Sequence, residues 1–285
     1  MADVITENTQ LGATKNALIA ELVQRELVYN AKLTGIVTDV TEFAVEGMKS
    51  IAFPKLTSFT VTNRAEGTKG EATALTASND VLLLNQNAYV SYVIDKMTAK
   101  QSNIKPQMNF AKRAASAQAR YIDEKIISTI RSGCSLFLNV GGDVDVTFAN
   151  LLELSKTLEK NEGNLANAVW LCSVAQKYKV MALAEFKDAA AFGRETLISG
   201  AIGTILGMPV MVHNGLADKE LFLVDKEAVA IGFQIGAEYG EQDEIAYGVG
   251  AKRAAIDQLF GTVVLQQEQK GAAAGKSPLI VGLND

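Results

Sequence analysis

Apolar residues recur along this chain with two different periods, and one long stretch has neither. In residues 14–33 (TKNALIAELVQRELVYNAKL), Leu18, Ile19, Leu22, Val23 and Leu27 return at helical spacing, so an amphipathic helix is predicted behind a polar arm. Residues 35–56 are rich in β-branched and aromatic side chains and are broken by Gly35, Gly47 and Pro54, which reads as short strands and turns. Strand-like segments then flank residues 62–74 (TNRAEGTKGEATA), which hold no Leu, Ile, Val, Met or aromatic residue. Fixing such a loop costs roughly 1–2 kcal/mol per residue, with no apolar burial of its own to offset it. An arm held by something outside its own domain is the sharper reading, and a surface loop the plainer one. Paired as a long hairpin, it would project roughly 50 Å at ~3.3 Å per residue.

Residues 106–132 give the strongest helical pattern. Pro106 suits a first turn, Met108, Ala111, Ala115, Ala119, Ile122, Ile126 and Ile130 step by three and four, and Gly133 is a stop signal. At 1.5 Å per residue the helix runs about 38 Å. From residue 147 the pattern alternates: a helix (FANLLELSKTLEK), a short strand (AVWLC), and a helix (SVAQKYKVMALAEF) opened by Ser173 and Gln176 as a capping box. Two strands (MPVMVH and LFLVD), a short helical KEAVA and an extended tail complete the α/β character.

Composition narrows the chemistry. The 285 residues allow one or two domains, 48% of them are apolar, and Ala supplies 39 against 7% aromatics, so the interior is small and aliphatic. The N-terminus has no signal-like apolar region, and no run is long enough for a membrane helix. Cys134 and Cys172 form no metal or disulfide spacing, which fits a reducing compartment, and both sit in apolar contexts. His213 is the only histidine; it ends an apolar run, and a strand-end role outweighs a general base. No GxSxG elbow is present, and Gly200, Gly203 and Gly207 match neither a dinucleotide nor a phosphate loop, so they read as turns before MPVMVH. Glu238, Glu241, Asp243 and Glu244 lack a calcium-loop pattern and read as a solvated acidic loop. Catalytic, cofactor-binding and metal-binding residues are therefore not expected. The net charge of −5 hides an imbalance: residues 96–131 carry eight basic and two acidic residues, +6, leaving −11 elsewhere. A basic helix face suits a polyanion, although a solvated face with ordinary i, i+4 pairs has the same composition.

In order, these features resemble the major capsid proteins of tailed double-stranded DNA phages. EGMKSIAFPKL (46–56) resembles the entry to that family's extended loop, and YVIDKMTAKQSN (92–103) the strand that leaves it. FAKRAASAQARYIDEKIISTI (110–130) resembles its spine helix, and AFGRETLISGAIGTILGMPVMVHNGL (191–216) is similar to its glycine-rich axial passage.

The resemblance implies an α+β tailed-phage capsid fold. Its parts would be an N-terminal arm and helix (1–48), an extended β-hairpin loop (49–95), a peripheral domain with the spine helix (96–141 and 246–285) and an α/β axial domain (142–245). It implies a structural subunit rather than an enzyme. Hexamers and pentamers would enclose packaged double-stranded DNA in an icosahedral virion assembled in the host cytoplasm. Implied partners are a separate scaffolding protein, a portal, a decoration protein and DNA contacted non-specifically, with no membrane and no cofactor. Arg64, Glu66, Lys69, Glu71 and Asp80 become candidate inter-subunit contacts, their mixed signs suiting directional pairing. Lys105, Lys112, Arg113 and Arg120 become candidate DNA-facing residues of the spine. An encapsulin-like nanocompartment shares the implied fold and is the alternative; an α/β enzyme sited in 142–245 is a further one.

Overall fold

The computed structural model describes residues 19–23, 31–56, 63, 66–67, 77–95, 106–139, 146–183, 203–265 and 276–284. Arg64, Lys69, Glu71 and Lys105 lie outside them. Of the helix expected over 14–33, residues 19–23 are helical, but residues 31–33 are not, and a 3₁₀ turn follows at Thr34–Ile36.

Two sheets organise the described chain. The first has the order β1 (Thr38–Asp39), β11 (Val229–Asp243), β12 (Lys252–Val264) and β4 (Gln86–Asn87), with β5 (Val90–Ile94) also on β12. The β11–β12 hairpin is its backbone, interrupted by register shifts between Phe233 and Glu238. Alternation along β12 sends successive side chains to opposite faces. One face meets helix α1 (Pro106–Gly133): Phe260 packs edge-on against Tyr121, and the Thr262 and Thr129 hydroxyls are 2.8 Å apart. On the other face lies the hairpin of β2 (Ser50–Leu56) and β3 (Ala77–Leu83), whose Ile51 and Leu82 bury against Val40 and Ala230.

Two glycines make that second contact close. Gly232 and Gly261 are cross-strand partners. A Cβ on Gly261 would stand 2.2 Å from the Leu83 carbonyl oxygen, and one on Gly232 would stand 3.3 Å from Val40. The pair therefore forms a slot into which the root of the hairpin sinks. The result is three layers: hairpin, sheet and α1.

Helix α1 buries Ala111, Ala115, Ala119, Ile122, Ile126 and Ile130, as the spacing predicts. Gly133 is the last residue of the helix rather than a stop beyond it, and the chain passes directly into β6 (Cys134–Asn139). Glycine is required there because a Cβ would meet Val264 at 2.5 Å.

The second sheet has the order β6, β13 (Ser277–Asn284), β10 (Leu221–Asp225), β7 (Ala168–Cys172), β9 (Met208–Val212), β8 (Thr204–Ile205). Trp170 and Phe222 are fully buried in it. Helix α2 (Phe148–Lys160), capped by the Thr147 hydroxyl, is tied to β13 by the Asn161 side-chain amide, which donates to the Pro278 carbonyl at 2.9 Å. In helix α3 (Val174–Ala182) the expected capping box is half formed. Ser173 Oγ accepts from Gln176 N, but the Ser173 amide donates to the Glu220 carbonyl, and Gln176 Oε1 is buried without a partner among the described residues.

Residues 245 and 246 lie at the tip of the β11–β12 hairpin, and residues 277–284 pair within the sheet built from β6–β10. Two expectations are corrected. Glu238, Glu241 and Asp243 lie on strand β11, not in a loop. KEAVA is a 3₁₀ turn at Lys226–Ala228 leading into β11.

Candidate functional site

Three exposed surfaces and one buried polar junction stand out. The first surface is the outer face of the β2–β3 hairpin. Ile51 and Leu82 point inward, so Val81 and Leu83, one residue away, face outward and are about half exposed. The neighbouring loop exposes Phe43, Val45 and Met48, and Gln234 Nε2 pins it by donating to the carbonyls of Val45 (3.0 Å) and Met48 (2.6 Å). Among the candidate loop contacts, Glu66 is exposed beside Gly67, and Asp80 sits on β3 opposite Phe53, half-buried.

The second surface is the tip of the β11–β12 hairpin. A 3₁₀ turn at Ile245–Tyr247 and Gly248, at φ +124°, turn the chain, leaving Ile245 82%, Tyr247 65% and Val249 90% exposed. Charged residues collar it: Glu244 lies 3.6 Å from Arg253, Glu241 lies 3.7 Å from Lys252, and the Tyr239 hydroxyl donates to Glu241. Burial and the Glu241 charge push the Tyr92 hydroxyl nearby up to about 12, so it stays protonated. Three large apolar residues at one exposed tip mark an interaction surface rather than scatter. No sequence signal singles them out, because six residues around two glycines carry no period.

The third surface is the outer side of α1. Lys112, Arg113 and Arg120 are exposed there, with Glu124 among them. Arg131, further along, is committed: its Nε and Nη2 make 2.6 and 2.7 Å bonds to both carboxylate oxygens of Glu220. Burial alone would raise the Glu220 carboxyl. The Arg131 hydrogen bond and charge, with the Ala217 amide, outweigh it and hold the group below its ordinary 4.5.

The junction is centred on Asp123 of α1. Its carboxylate accepts from the Leu33 amide at 3.1 Å and the Lys32 amide at 3.4 Å, and it lies 3.1 Å from His213 Nε2. His213 does follow a strand, and it joins α1 to the β9–β10 connection. Both cysteines are buried and free; burial pushes Cys134 up to about 12 and Cys172 up to about 11, far from a reactive thiolate. The turn before β9 is a two-residue hairpin with Leu206 and Gly207 both at positive φ. Among the described residues no group of three His, Cys, Asp or Glu side chains could hold a metal, and no helix is long and apolar enough to cross a membrane.

No family model and no curated protein matches the sequence. Solved structures do. A chain from Mycobacterium phage Che8 is 16% identical, with a TM-score of 0.74 over 89% of this chain and 91% of that one. The capsid structure of Cyanophage P-SCSP1u is 12% identical, with a TM-score of 0.70 over 87% and 86%. A virus-like particle from Pyrococcus furiosus is 7% identical, with a TM-score of 0.62 over 93% and 98%. The mixed α+β architecture, with its hairpin, long helix and two sheets, is the fold of tailed-phage capsid subunits.

Proposed function

We propose that this chain is a shell-forming structural subunit, a major capsid protein of a tailed phage, and not an enzyme. The observation that carries the reading is the near-complete likeness to phage capsid chains, covering about nine-tenths of both partners. The apolar hairpin face and the β11–β12 tip support it, since each is costly to leave in water and each would find cover against further copies. Hexamers and pentamers close such heterologous contacts by rotation. Arg64, Glu66, Lys69, Glu71 and Asp80 would then meet the neighbouring subunit. Lys105, Lys112, Arg113 and Arg120 would face packaged double-stranded DNA, bound without sequence preference. A separate scaffolding protein, a portal and a decoration protein would complete a virion assembled in the host cytoplasm.

The likeness to the Pyrococcus particle favours a second reading, an encapsulin-like nanocompartment shell. Electron microscopy of purified assemblies, with scaffolding protein supplied, tests both. Closed shells holding DNA are expected; shells holding a cargo protein would support the compartment. A protein that stays monomeric at high concentration would overturn both.

A further inference from the structure

Asn214–Gly215 is the only Asn–Gly dipeptide in the sequence, and the side chain before it is unusually placed. The Gly215 amide donates to His213 Nδ1 at 3.0 Å. A backbone N–H can only donate, so Nδ1 is the bare nitrogen and the ring proton sits on Nε2. That proton faces Asp123 Oδ2 at 3.1 Å, and the Asp123 side chain is only 4% exposed. A buried carboxylate thus fixes both the orientation and the tautomer of a histidine, as in acyl-transfer triads. Asn214 and Gly215 themselves are exposed turn residues.

We propose that Asn214–Gly215 is a self-modification site at which His213 catalyses deamidation of Asn214. His213 Nδ1 takes the Gly215 amide proton as that nitrogen attacks Asn214 Cγ. The N–Cγ bond forms, the Cγ–Nδ2 bond breaks, and the proton passes from the imidazolium to Nδ2, which leaves as ammonia. The resulting succinimide is opened by water at either carbonyl, leaving aspartate or isoaspartate. Water is the sole co-reactant. His213 touches the reacting nitrogen and is the catalytic group; Asp123 is a positioning residue. The inference rests on these distances and stands independently of shell formation.

The test compares the folded protein with the same chain unfolded in urea. Each is sampled over time across the neutral pH range, with peptide mass spectrometry at residue 214 and enzymatic isoaspartate assay. Other titratable groups on the elements packed here are Lys32, Glu124, Lys125 and Arg131, with Asp218, Lys219 and Glu220 on the connection that follows. The folded protein is expected to deamidate about tenfold faster than the unfolded chain, a conservative share of what a positioned base supplies. Its rate should level off toward high pH, as a positioned side-chain base requires, whereas the unfolded rate keeps rising with hydroxide. Asp123→Asn, which favours the opposite tautomer, and His213→Gln should both fall to the unfolded rate, with folding checked by circular dichroism. A folded rate no faster than the unfolded one, or one that climbs with hydroxide without levelling, overturns the proposal. That comparison needs no variant.

Discussion

The slot made by Gly232 and Gly261 can be closed by one methyl group. In Gly261→Ala the new Cβ would sit 2.2 Å from the Leu83 carbonyl oxygen and 3.0 Å from Leu82 Cδ2. A carbon–oxygen contact needs about 3.3 Å, so the hairpin backbone must retreat by roughly 1 Å. Leu83 O is main chain and cannot rotate away. Overpacking of this kind costs about 1–3 kcal/mol. If the hairpin lifts off instead, Ile51 and Leu82 lose their cover, at about 1.5–3 kcal/mol each, for a ceiling of roughly 6 kcal/mol. We expect a loss of about 2–4 kcal/mol in urea denaturation, with faster proteolysis within 50–56 and 77–83. Gly232→Ala is the control. Its Cβ would meet Val40 at 3.3 Å, a tight contact relieved by a shift of a few tenths of an ångström, and Ile51 and Leu82 at an ordinary 3.7 and 3.8 Å, so it should cost no more than about 1 kcal/mol. Equal stability and equal protease resistance in the two variants would refute the slot.

Four further outcomes are expected. Leu206→Asn relieves a leucine held at φ +51° and should stabilise the protein by about 1 kcal/mol, read as a raised Tm. Arg131→Met leaves the Glu220 carboxylate buried and should cost about 1–2 kcal/mol near neutral pH, allowing for the half-exposed arginine. Because the folded Glu220 value is depressed, its stabilisation is present above about pH 4.5 and lost as pH falls through the folded value. The difference between parent and Arg131→Met should therefore shrink in denaturation curves taken below that pH. Replacing Ile245, Tyr247 and Val249 together by Ser should change subunit stability by less than about 0.5 kcal/mol while abolishing shells in micrographs. Replacing Lys112, Arg113 and Arg120 by Gln should flatten the log–log salt dependence of double-stranded DNA binding, its slope falling by about 0.9 for each phosphate no longer neutralised.

Local signals carried much of this fold. α1, α2, β7, α3, β9 and β10 were legible because each has an uninterrupted period or a capping residue, such as Thr147 or Ser173. The β11–β12 hairpin was not. Its alternation is broken by register shifts at Phe233–Glu238, its glycines imitate loops, and the acids on both of its faces suggested one. The Gly232–Gly261 slot could not be read either, since a close approach across two strands and a hairpin leaves no trace in spacing. Of the surfaces, the basic side of α1 was visible as a charge count, but the apolar tip was not. Asp123 and His213 lie 90 residues apart, so their pairing belongs to tertiary structure alone.

Strand β13 sets a timetable for synthesis. It lies between β6 and β10, so residues 277–284 join two strands translated long before them. Until those residues leave the ribosome, β6 has no partner among the described strands and β10 has only β7. At about 5–20 residues per second, roughly 50–60 residues separate the completion of β10 from that of β13, a delay of several seconds. The second sheet therefore cannot close before β13 has emerged.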